Sequence, residues 1–326
     1  MYYYASMAYT CSVLGASGFS GGEVLSYLRA HPALACVAAG AGRSAGAAVG
    51  ELHPHLDEGD GAVFLPLEEA SGTPADVCFS CLPAGVLDPS AVAAGRIVDL
   101  SDSFRSDDEW TYGLTEFARA ELAAATRVAN PGCYPTAALL ALLPFSTAGV
   151  IEGPITIDAL SGVSGAGREP ADHLSLASLH GAATAYGSTE HRHIPEMERG
   201  LRRWGGIDAY VSFTPHLVPM SRGLLVTARA SLTANLDDRQ ALALLDDAYG
   251  MEPFVRVVEK WPTTKAVAGS NRALVTARVD ARARVLIAHA VIDNLGKGAA
   301  GQAVQNANLM LGIDETAGLE GGGLWP

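Results

Sequence analysis

The chain has 326 residues, enough for about two domains that each bury a hydrophobic core. A net charge of −13 at pH 7 disfavours nucleic acid and anionic membranes as partners, and no run of about 18 apolar residues predicts a membrane span. The first residues lack the positive charge of a signal peptide, and the five cysteines are scattered and odd in number. We therefore expect a cytoplasmic protein with free thiols.

The first predicted elements are a short strand, a glycine-rich turn and an amphipathic helix within residues 11–29. The spacing G-x-x-G-x-x-G lets the backbone approach a pyrophosphate at a helix N-terminus. Residues 18–22 also match the G-x-S-x-G pattern of serine hydrolases, but short glycine patterns are common in a chain with 36 glycines. The turn therefore predicts a dinucleotide site formed by Gly15, Ser17, Gly18, Phe19, Ser20 and Gly21.

The second predicted strand, residues 34–39, is followed by Arg43 and Ser44. Enzymes that use NAD usually place an acidic residue at this offset, where it binds the ribose hydroxyls. An arginine there favours the 2′-phosphate of NADP, although a solvated surface arginine is the alternative. A further buried strand over residues 75–83 ends at Pro83, which we also assign to cofactor binding.

Two cysteines on this strand, Cys78 and Cys81, form a C-x-x-C pattern. Their odd offset directs the side chains to opposite faces of a strand, and no second pair of cysteines is present, so we predict no metal site here. The next predicted strand, residues 95–100, leads to Arg105 at the carboxyl edge, where ligands bind in doubly wound sheets. Arg105 is either an anion-binding residue or a surface arginine.

Residues 128–143 combine turn formers with an apolar helix whose predicted first residue is Pro135. Cys133 then lies just ahead of the helix N-terminus, where the helix dipole lowers the pKa of a thiol. The thiolate is the nucleophilic form of cysteine. We interpret Cys133 as a nucleophile, and the alternative is a buried structural cysteine.

Beyond this helix, predicted strands dominate, which indicates a second, α+β domain. Residues 190–196 carry His191 and His193 beside acidic residues, a pattern that suits metal binding, acid–base chemistry or simply the polar start of a helix. Other candidate segments are a glycine-rich turn at 161–168, a loop carrying Arg222, and residues 293–302.

A dinucleotide turn combined with a thiol nucleophile suggests acyl chemistry of the aldehyde dehydrogenase type. Across nearly the whole chain, the sequence resembles the N-acetyl-gamma-glutamyl-phosphate reductases of arginine biosynthesis, which are related to aspartate-semialdehyde dehydrogenase. Six motifs in family order carry the resemblance, at residues 15–23, 130–136, 161–167, 191–196, 216–223 and 293–301. Ser161 and Arg222 depart from the residues usual in the aspartate-semialdehyde branch.

The resemblance implies an α/β fold in which a Rossmann-like NADP-binding domain, residues 1–132 plus 298–326, accepts an inserted α+β catalytic and oligomerisation domain, residues 133–297. It implies a homodimer or homotetramer that acts on a small-molecule acyl phosphate. Cys133 matches the family nucleophile. His191, or alternatively His193, matches the acid–base residue, and Arg105 matches the phosphate-binding arginine of an Asp-x-Ser-x-x-Phe-Arg pattern.

We assign the remaining positions from the same motifs. His193 and Arg222 join Arg105 in substrate binding. Ser164, Gly165 and Asn294 complete the NADP(H) site, and no metal is expected. Three alternatives stay open: a reductase of carrier-linked aminoadipyl phosphate in lysine biosynthesis, a metal-dependent hydrolase that uses the His-x-His segment with Glu196, and a non-catalytic NADP-sensing regulator.

Overall fold

The computed structural model describes residues 8–59 and 61–324. The chain divides into two compact units, one of Met1–Pro131 with Ala299–Glu320 and one of Gly132–Gly298 with Gly321–Pro326. The sequence-based boundaries placed residues 298–326 together in the first unit. The final described residues group with the second unit instead, since the backbone N–H of Leu324 donates to the carbonyl of Ala268 at 2.7 Å.

The bounds of the strands and helices, within the described residues, are these. The strands are β1 (Tyr9–Leu14), β2 (Leu34–Ala41), β3 (Leu65–Pro66), β4 (Val77–Ser80), β5 (Ile97–Asp99), β6 (Thr111–Tyr112), β7 (Arg127–Ala129), β8 (Ile151–Ser161), β9 (Thr184–Ala185), β10 (Val211–Leu217), β11 (Leu224–Leu232), β12 (Val255–Val257), β13 (Ala273–Asp280) and β14 (Val285–Ile292). The α-helices are α1 (Phe19–Arg29), α2 (Val49–Leu52), α3 (Leu67–Gly72), α4 (Thr115–Ala124), α5 (Cys133–Thr147), α6 (Leu176–Leu179), α7 (Ile194–Gly205), α8 (Asp238–Tyr249) and α9 (Gly301–Met310).

The first unit contains a parallel sheet with strand order β3-β2-β1-β4-β5-β7-β6. Its strands are short and rich in small or β-branched apolar residues, as expected where both faces of a sheet are covered. The order reverses between β1 and β4, which is the switch point at whose carboxyl edge ligands bind in this class of sheet. The prediction of a Rossmann-like domain is confirmed.

The C-terminal helix α9 completes the first unit through a buried polar network. Thr115 Oγ1 on α4 donates to Asn306 Oδ1 at 2.8 Å, and Asn306 Nδ2 donates to Asn130 Oδ1 at 3.1 Å. These side chains are fully buried, so their mutual hydrogen bonds avoid the cost of leaving polar atoms unsatisfied. The network fixes Asn130 at the end of β7.

The second unit contains a mixed sheet with strand order β12-β13-β14-β11-β8-β10-β9. One face carries small and branched apolar residues such as Ile157, Val226 and Ala288, all fully buried, and it packs against α5. Every residue from Tyr134 to Ser146 of α5 is buried, which explains why this helix is apolar all round. The predicted α+β second domain is confirmed.

Membrane insertion was not expected from the sequence. Among residues 8–59 and 61–324, none of the helices has the length and hydropathy that a membrane crossing requires.

Candidate active site

The glycine-rich turn between β1 and α1 forms a close backbone cradle. Gly15 has φ +75°, and a Cβ atom there would lie 2.6 Å from the carbonyl oxygen of Cys81. A Cβ at Gly21 would lie 2.6 Å from the Cα of Ala16. The N-cap residue Gly18 has no side chain to cap the first amides of α1. These features fit the pyrophosphate of a dinucleotide, which needs close backbone approach and helix N–H groups.

A buried histidine that sequence reasoning missed supports this turn. The Nε2 atom of His53 lies 2.9 Å from the carbonyl oxygen of Ala16, so it carries the proton of that hydrogen bond. The ring also packs against Gly22, where a side chain would collide with it. His53 therefore stabilises the turn by a hydrogen bond and by packing. No local sequence pattern around residue 53 indicates this long-range contact.

The other predicted cofactor residues of this unit lie at the same carboxyl edge of the sheet. The Ala16 N–H donates to the carbonyl of Gly40 at 2.9 Å, which joins the glycine turn to the end of β2 shortly before Arg43 and Ser44. Arg43 is exposed and Ser44 is half-buried. Pro83 is exposed in the loop after β4. Because parallel strands end at a common edge, these positions all lie at the carboxyl edge of this sheet.

Arg105 is held by backbone carbonyls at the ends of two neighbouring strands. Its Nε donates to the carbonyl of Asn130 at 2.9 Å, and its Nη2 donates to the carbonyl of Leu100 at 3.0 Å. In the same motif, Ser101 Oγ donates to the buried carboxylate of Asp99 at 2.5 Å. Burial raises the pKa of Asp99. The predicted anion-binding arginine is therefore oriented by the chain rather than freely solvated.

The thiol of Cys133 lies at the first residue of α5, not ahead of it. The carbonyl of Gly132 accepts the N–H of Thr136 at 2.9 Å, which closes a helical turn two residues before the predicted start at Pro135. Gly132 is the N-cap, with φ −67° and ψ 154°, and its lack of a side chain leaves the helix N-terminus without a side-chain cap. Cys133 is half-buried. The positive end of the helix dipole therefore adjoins the thiol.

Aromatic rings connect the cysteine segment to the two histidines. Tyr134, the residue after Cys133, has its ring centroid 5.6 Å from that of His191 and 5.8 Å from that of His193. The two imidazole centroids are 4.8 Å apart, and Phe213 packs against both Tyr134 and His191 at 5.1 and 5.2 Å. The structure thus brings the predicted nucleophile segment and the predicted acid–base pair together in the second unit.

His191 has a defined proton position. The backbone N–H of His193 donates to His191 Nδ1 at 3.1 Å, so the neutral ring carries its proton on Nε2. Burial, followed by the positive charge of Arg192, lowers the pKa of His191, which keeps the ring neutral at pH 7. His193 is 5% exposed at the N-cap of α7, whereas His191 is half-buried. Because His191 is more exposed than His193, it is the better placed of the two for proton exchange with a ligand.

Glu196, in the first turn of α7, ties the histidine segment to the cysteine segment. Its Oε1 accepts the backbone N–H of Gly132 at 2.8 Å. Within residues 8–59 and 61–324, no group of three or more His, Cys, Asp or Glu side chains is arranged to hold a metal ion. The donor geometry that the metal-dependent hydrolase alternative requires is therefore missing from the described part of the chain.

The three predicted cofactor residues of the second unit lie together. Asn294 Oδ1 accepts the N–H of Gly223 at 2.8 Å, and Asn294 Nδ2 donates to Ser164 Oγ at 2.9 Å. A Cβ at Gly165 would lie 3.6 Å from Asn294 Nδ2. Asn294 therefore links the glycine-rich turn after β8 to the loop before β11.

Arg222, in that same loop, forms an ion pair with a buried carboxylate. Its Nε lies 3.3 Å from Asp293 Oδ2, and the Asp293 side chain is fully buried while that of Arg222 is 25% exposed. Asp293 also accepts the N–H of Gly269. The pair fixes the predicted substrate-binding arginine in a partly accessible position.

Sequence reasoning gave no role to two tyrosines of this site. Tyr134 Oη and Tyr186 Oη are 2.8 Å apart, and the ring centroid of Tyr186 is 5.9 Å from that of His191. The position of Tyr134 next to the cysteine was an available signal. Tyr186 lies outside the six motifs, and it directly follows β9, which pairs with β10.

Comparison with family models covers both units. Residues 10–125 match the model described as semialdehyde dehydrogenase, NAD binding domain. Residues 133–294 match the model described as semialdehyde dehydrogenase, dimerisation domain. The first unit is thus a nicotinamide-dinucleotide-binding domain, and the second is of a kind associated with oligomerisation.

Among curated proteins, the chain is similar to N-acetyl-gamma-glutamyl-phosphate reductases. It is 44% identical to that of Frankia casuarinae over 98% of this chain and 100% of the relative, and 44% identical to that of Thermus thermophilus over 96% and 99%. Among solved structures, aspartate semialdehyde dehydrogenase II of Vibrio cholerae matches with a TM-score of 0.74 at 20% identity, over 94% of this chain and 99% of the other. An aspartate semialdehyde dehydrogenase with NADP from Candida albicans matches with a TM-score of 0.69 at 16% identity, over 93% and 98%. These structural likenesses establish the fold.

Proposed function

Because the chain belongs to the N-acetyl-gamma-glutamyl-phosphate reductase family, we propose that it reduces N-acetyl-L-glutamyl 5-phosphate to N-acetyl-L-glutamate 5-semialdehyde with NADPH and release of phosphate, a step of arginine biosynthesis. The observation that carries the proposal is the packing of His191 and His193 against Tyr134, directly after Cys133 at the start of α5. The names of the relatives support the glutamyl substrate over the carrier-linked aminoadipyl one.

In the proposed mechanism, the Cys133 thiolate attacks the acyl carbonyl carbon and displaces inorganic phosphate, which leaves a thioester on Cys133. The N-terminus of α5 stabilises the thiolate, and no side chain caps this N-terminus in competition with it. Arg105 is the proposed residue for the phosphate group, since two backbone carbonyls hold its guanidinium in one orientation.

His191 is the proposed acid–base residue. Bound NADPH supplies the hydride that reduces the thioester. As negative charge develops on the former carbonyl oxygen, the Nε2–H of His191 donates a hydrogen bond to it and shares its proton with the alkoxide. The proton returns fully to Nε2 when the thiohemiacetal alkoxide collapses to the aldehyde and expels the Cys133 thiolate. The hydrogen bond from the His193 N–H to Nδ1 orients the ring for both steps.

NADP(H) is the proposed form of the cofactor. Arg43 and Ser44 follow β2 where an NAD enzyme would carry a carboxylate, and a guanidinium pairs well with a nearly dianionic 2′-phosphate. The proposed binding residues are those of the glycine turn (Gly15, Ser17, Gly18, Phe19, Ser20, Gly21) with Arg43, Ser44, Pro83, Ser164, Gly165 and Asn294.

The substrate is anionic, and the chain carries a net charge of −13, so local cations must receive it. Arg222 is the proposed partner of the substrate carboxylate, because its ion pair with Asp293 holds it in a partly exposed position. His193 is the other proposed substrate-binding residue. A cytoplasmic location, in which thiols stay reduced, is part of the proposal, and none of the five cysteines, which all lie within the described residues, is in a disulfide.

The proposal is tested in the reverse direction by following NADPH formation from N-acetylglutamate semialdehyde and NADP. We expect turnover that requires phosphate or arsenate, and no loss of activity with a chelator. Nucleotide binding without turnover would support the sensing regulator instead. Activity confined to a carrier-linked aminoadipate semialdehyde would assign the chain to lysine biosynthesis.

A homodimer or homotetramer is also part of the proposal, through the sheet face of the second unit that α5 does not cover. This face carries Leu160, which is 39% exposed, and Trp261, which is 63% exposed and contacts His289 edge-on. We expect Leu160→Asp to weaken self-association without unfolding the chain, as measured by light scattering during size-exclusion chromatography. An unchanged mass for the variant would argue against this face.

A further inference from the structure

The backbone at Gly298 lies directly against the side chain of Cys133. A Cβ atom at residue 298 would be 2.8 Å from Cys133 Cβ and 3.2 Å from Ile292 Cδ1. The first distance is shorter than real Cβ atoms tolerate, so any larger residue would have to displace its neighbours. Glycine is therefore required for this approach, as at other sites where a backbone comes close to a functional group.

The segment that carries Gly298 is fixed by Asp293. Asp293 Oδ1 accepts the backbone N–H groups of Leu295 at 2.8 Å and Gly296 at 3.1 Å, and the Asp293 carbonyl accepts the N–H of Gly298 at 2.9 Å. Asp293 is itself fully buried and paired with Arg222. The contact on Cys133 is thus made by a rigid turn and not by a mobile side chain.

The turn has an unusual backbone. Gly296–Ala300 forms a single π-helical turn immediately before α9. Such turns are rare and occur frequently at functional sites, because they change the direction of the chain within a helix. Here the π-helical turn leaves the Gly298 backbone facing the first residue of α5.

We propose that Gly298 is a positioning residue for the nucleophile. The Asp293–Gly298 turn occupies one side of Cys133 Cβ, so the thiol is restricted to rotamers that point away from it. This restriction orders the thiol before substrate binds and lowers the entropy lost on reaching the attacking geometry. The catalytic part of the inference depends on the proposed role of Cys133, whereas the effect on the thiol itself does not.

The test is Gly298→Ala, with two readouts. The first is the rate of alkylation of Cys133 by iodoacetamide across a pH series, located by peptide mass spectrometry because a hydrogen bond with Cys11 lowers the pKa of the half-buried Cys36 thiol, which can therefore react too. The second is kcat. We expect the Cys133 alkylation rate to change several-fold and kcat to fall roughly 10²-fold, the usual cost of misplacing a reacting group by about 1 Å. NADPH affinity should stay within twofold of wild type.

Gly200→Ala is the matched control. A Cβ at residue 200 would be 2.6 Å from Leu139 Cδ1, so this substitution crowds α5 to a similar degree but away from Cys133. It should leave the alkylation rate of Cys133 unchanged. Ile292→Val in the Gly298→Ala background removes Ile292 Cδ1, which would lie 3.2 Å from the new methyl group, and should restore part of the alkylation rate and of kcat.

The outcomes separate this inference from the proposed function. Gly298 has no positioning role if Cys133 of the Gly298→Ala variant is alkylated with the wild-type rate and pH profile. The same conclusion follows if Gly200→Ala changes the alkylation rate of Cys133 as much as Gly298→Ala does. If the wild-type protein turns over neither substrate, the alkylation comparison still decides the inference. Should Gly298→Ala fail to fold, Asp293→Asn loosens the same turn without adding an atom beside Cys133, and an unaltered alkylation rate in that variant would overturn the proposal.

Discussion

Helices α1 and α5 begin in nearly the same way but have different proposed roles. Gly18 precedes α1 with φ −75° and ψ 173°, and Gly132 precedes α5 with φ −67° and ψ 154°. Neither glycine can cap the first amides of its helix with a side chain. Both helices therefore present a positive N-terminus to the group that lies nearest to it.

The two helices differ in the residues after the N-cap and in their burial. Helix α1 is only partly buried, and the residues at its start are proposed to bind the cofactor pyrophosphate. At α5 the residue after the N-cap is Cys133, the proposed nucleophile, and the helix is buried from Tyr134 to Ser146. Under the proposed function, one backbone feature serves ligand binding at an accessible helix and nucleophile activation at a core helix.

Removing the proposed Cys133 thiolate at the start of α5 should have the most severe consequence. Cys133→Ser should lower kcat by roughly 10⁴-fold or more, because a serine hydroxyl at its ordinary pKa is a far weaker nucleophile than a thiolate. Binding of NADPH, measured by fluorescence titration, should be unchanged, since the glycine turn before α1 is intact. Substantial residual turnover in the serine variant would remove Cys133 from the mechanism.

A second prediction concerns His191, the proposed proton-transfer residue. His191→Asn should lower kcat by roughly 10² to 10⁴, the usual contribution of a positioned acid–base group. The control is His193→Asn, which should mainly raise KM for the acyl substrate. If His193→Asn is the crippling variant and His191→Asn is mild, the roles of the two histidines are exchanged.

In the first unit, which contains α1, the expected effect is smaller and concerns KM for the cofactor. Arg43→Ala should raise KM for NADPH by roughly ten- to hundredfold, since a charge-assisted hydrogen bond contributes about 1.5–3 kcal/mol. KM for NADH should hardly change, because NADH has no 2′-phosphate to lose. An equal response of both cofactors would make Arg43 a surface residue without a role in cofactor choice.

Reaction with iodoacetamide should distinguish Cys133 from Cys78 and Cys81 of the first unit. Burial raises the pKa of Cys78 to about 11 and raises that of Cys81 further, so both thiols should react slowly at neutral pH. Cys133 should react quickly, because the N-terminus of α5 favours its thiolate. Peptide mapping after timed alkylation measures the three rates. Equal rates for Cys78, Cys81 and Cys133 would show that the N-terminus of α5 does not favour the Cys133 thiolate.

A more modest change is expected in pH dependence. Burial and the charge of Arg192 lower the pKa of His191. The neutral ring, which is the proposed active form, is therefore lost only as the pH falls below about 6.5, the ordinary pKa of histidine. Arg192→Gln should raise that pKa and move the acidic limb of kcat to higher pH by less than about one unit, since exposed charges are screened by salt. The limb should disappear in His191→Asn. An acidic limb that stays in place in His191→Asn belongs to another group.

Features that are local in the chain could be predicted from the amino-acid sequence. The glycine turn of residues 15–21 and the cysteine at the start of α5 were recognisable because a helix start depends on a few adjacent residues. The two-domain α/β fold was also predictable, through the motif order and the change in strand content after residue 133. The helix start at Cys133 itself was misplaced by two residues, since helix ends depend on a single hydrogen bond such as that from Thr136 to Gly132.

The meeting of distant segments is visible in the three-dimensional structure alone. The segment after β9 brings Tyr186 to Tyr134, α7 carries Glu196 to the amide of Gly132, and the turn after β14 brings Gly298 against Cys133. Each of these residues is far along the chain from its partner, so no local pattern specifies the contact. Residue types and short spacings in the sequence indicate which side chains form the candidate site. The orientation of those side chains and the atoms that crowd them are set by packing between helices and strands, which the sequence does not show.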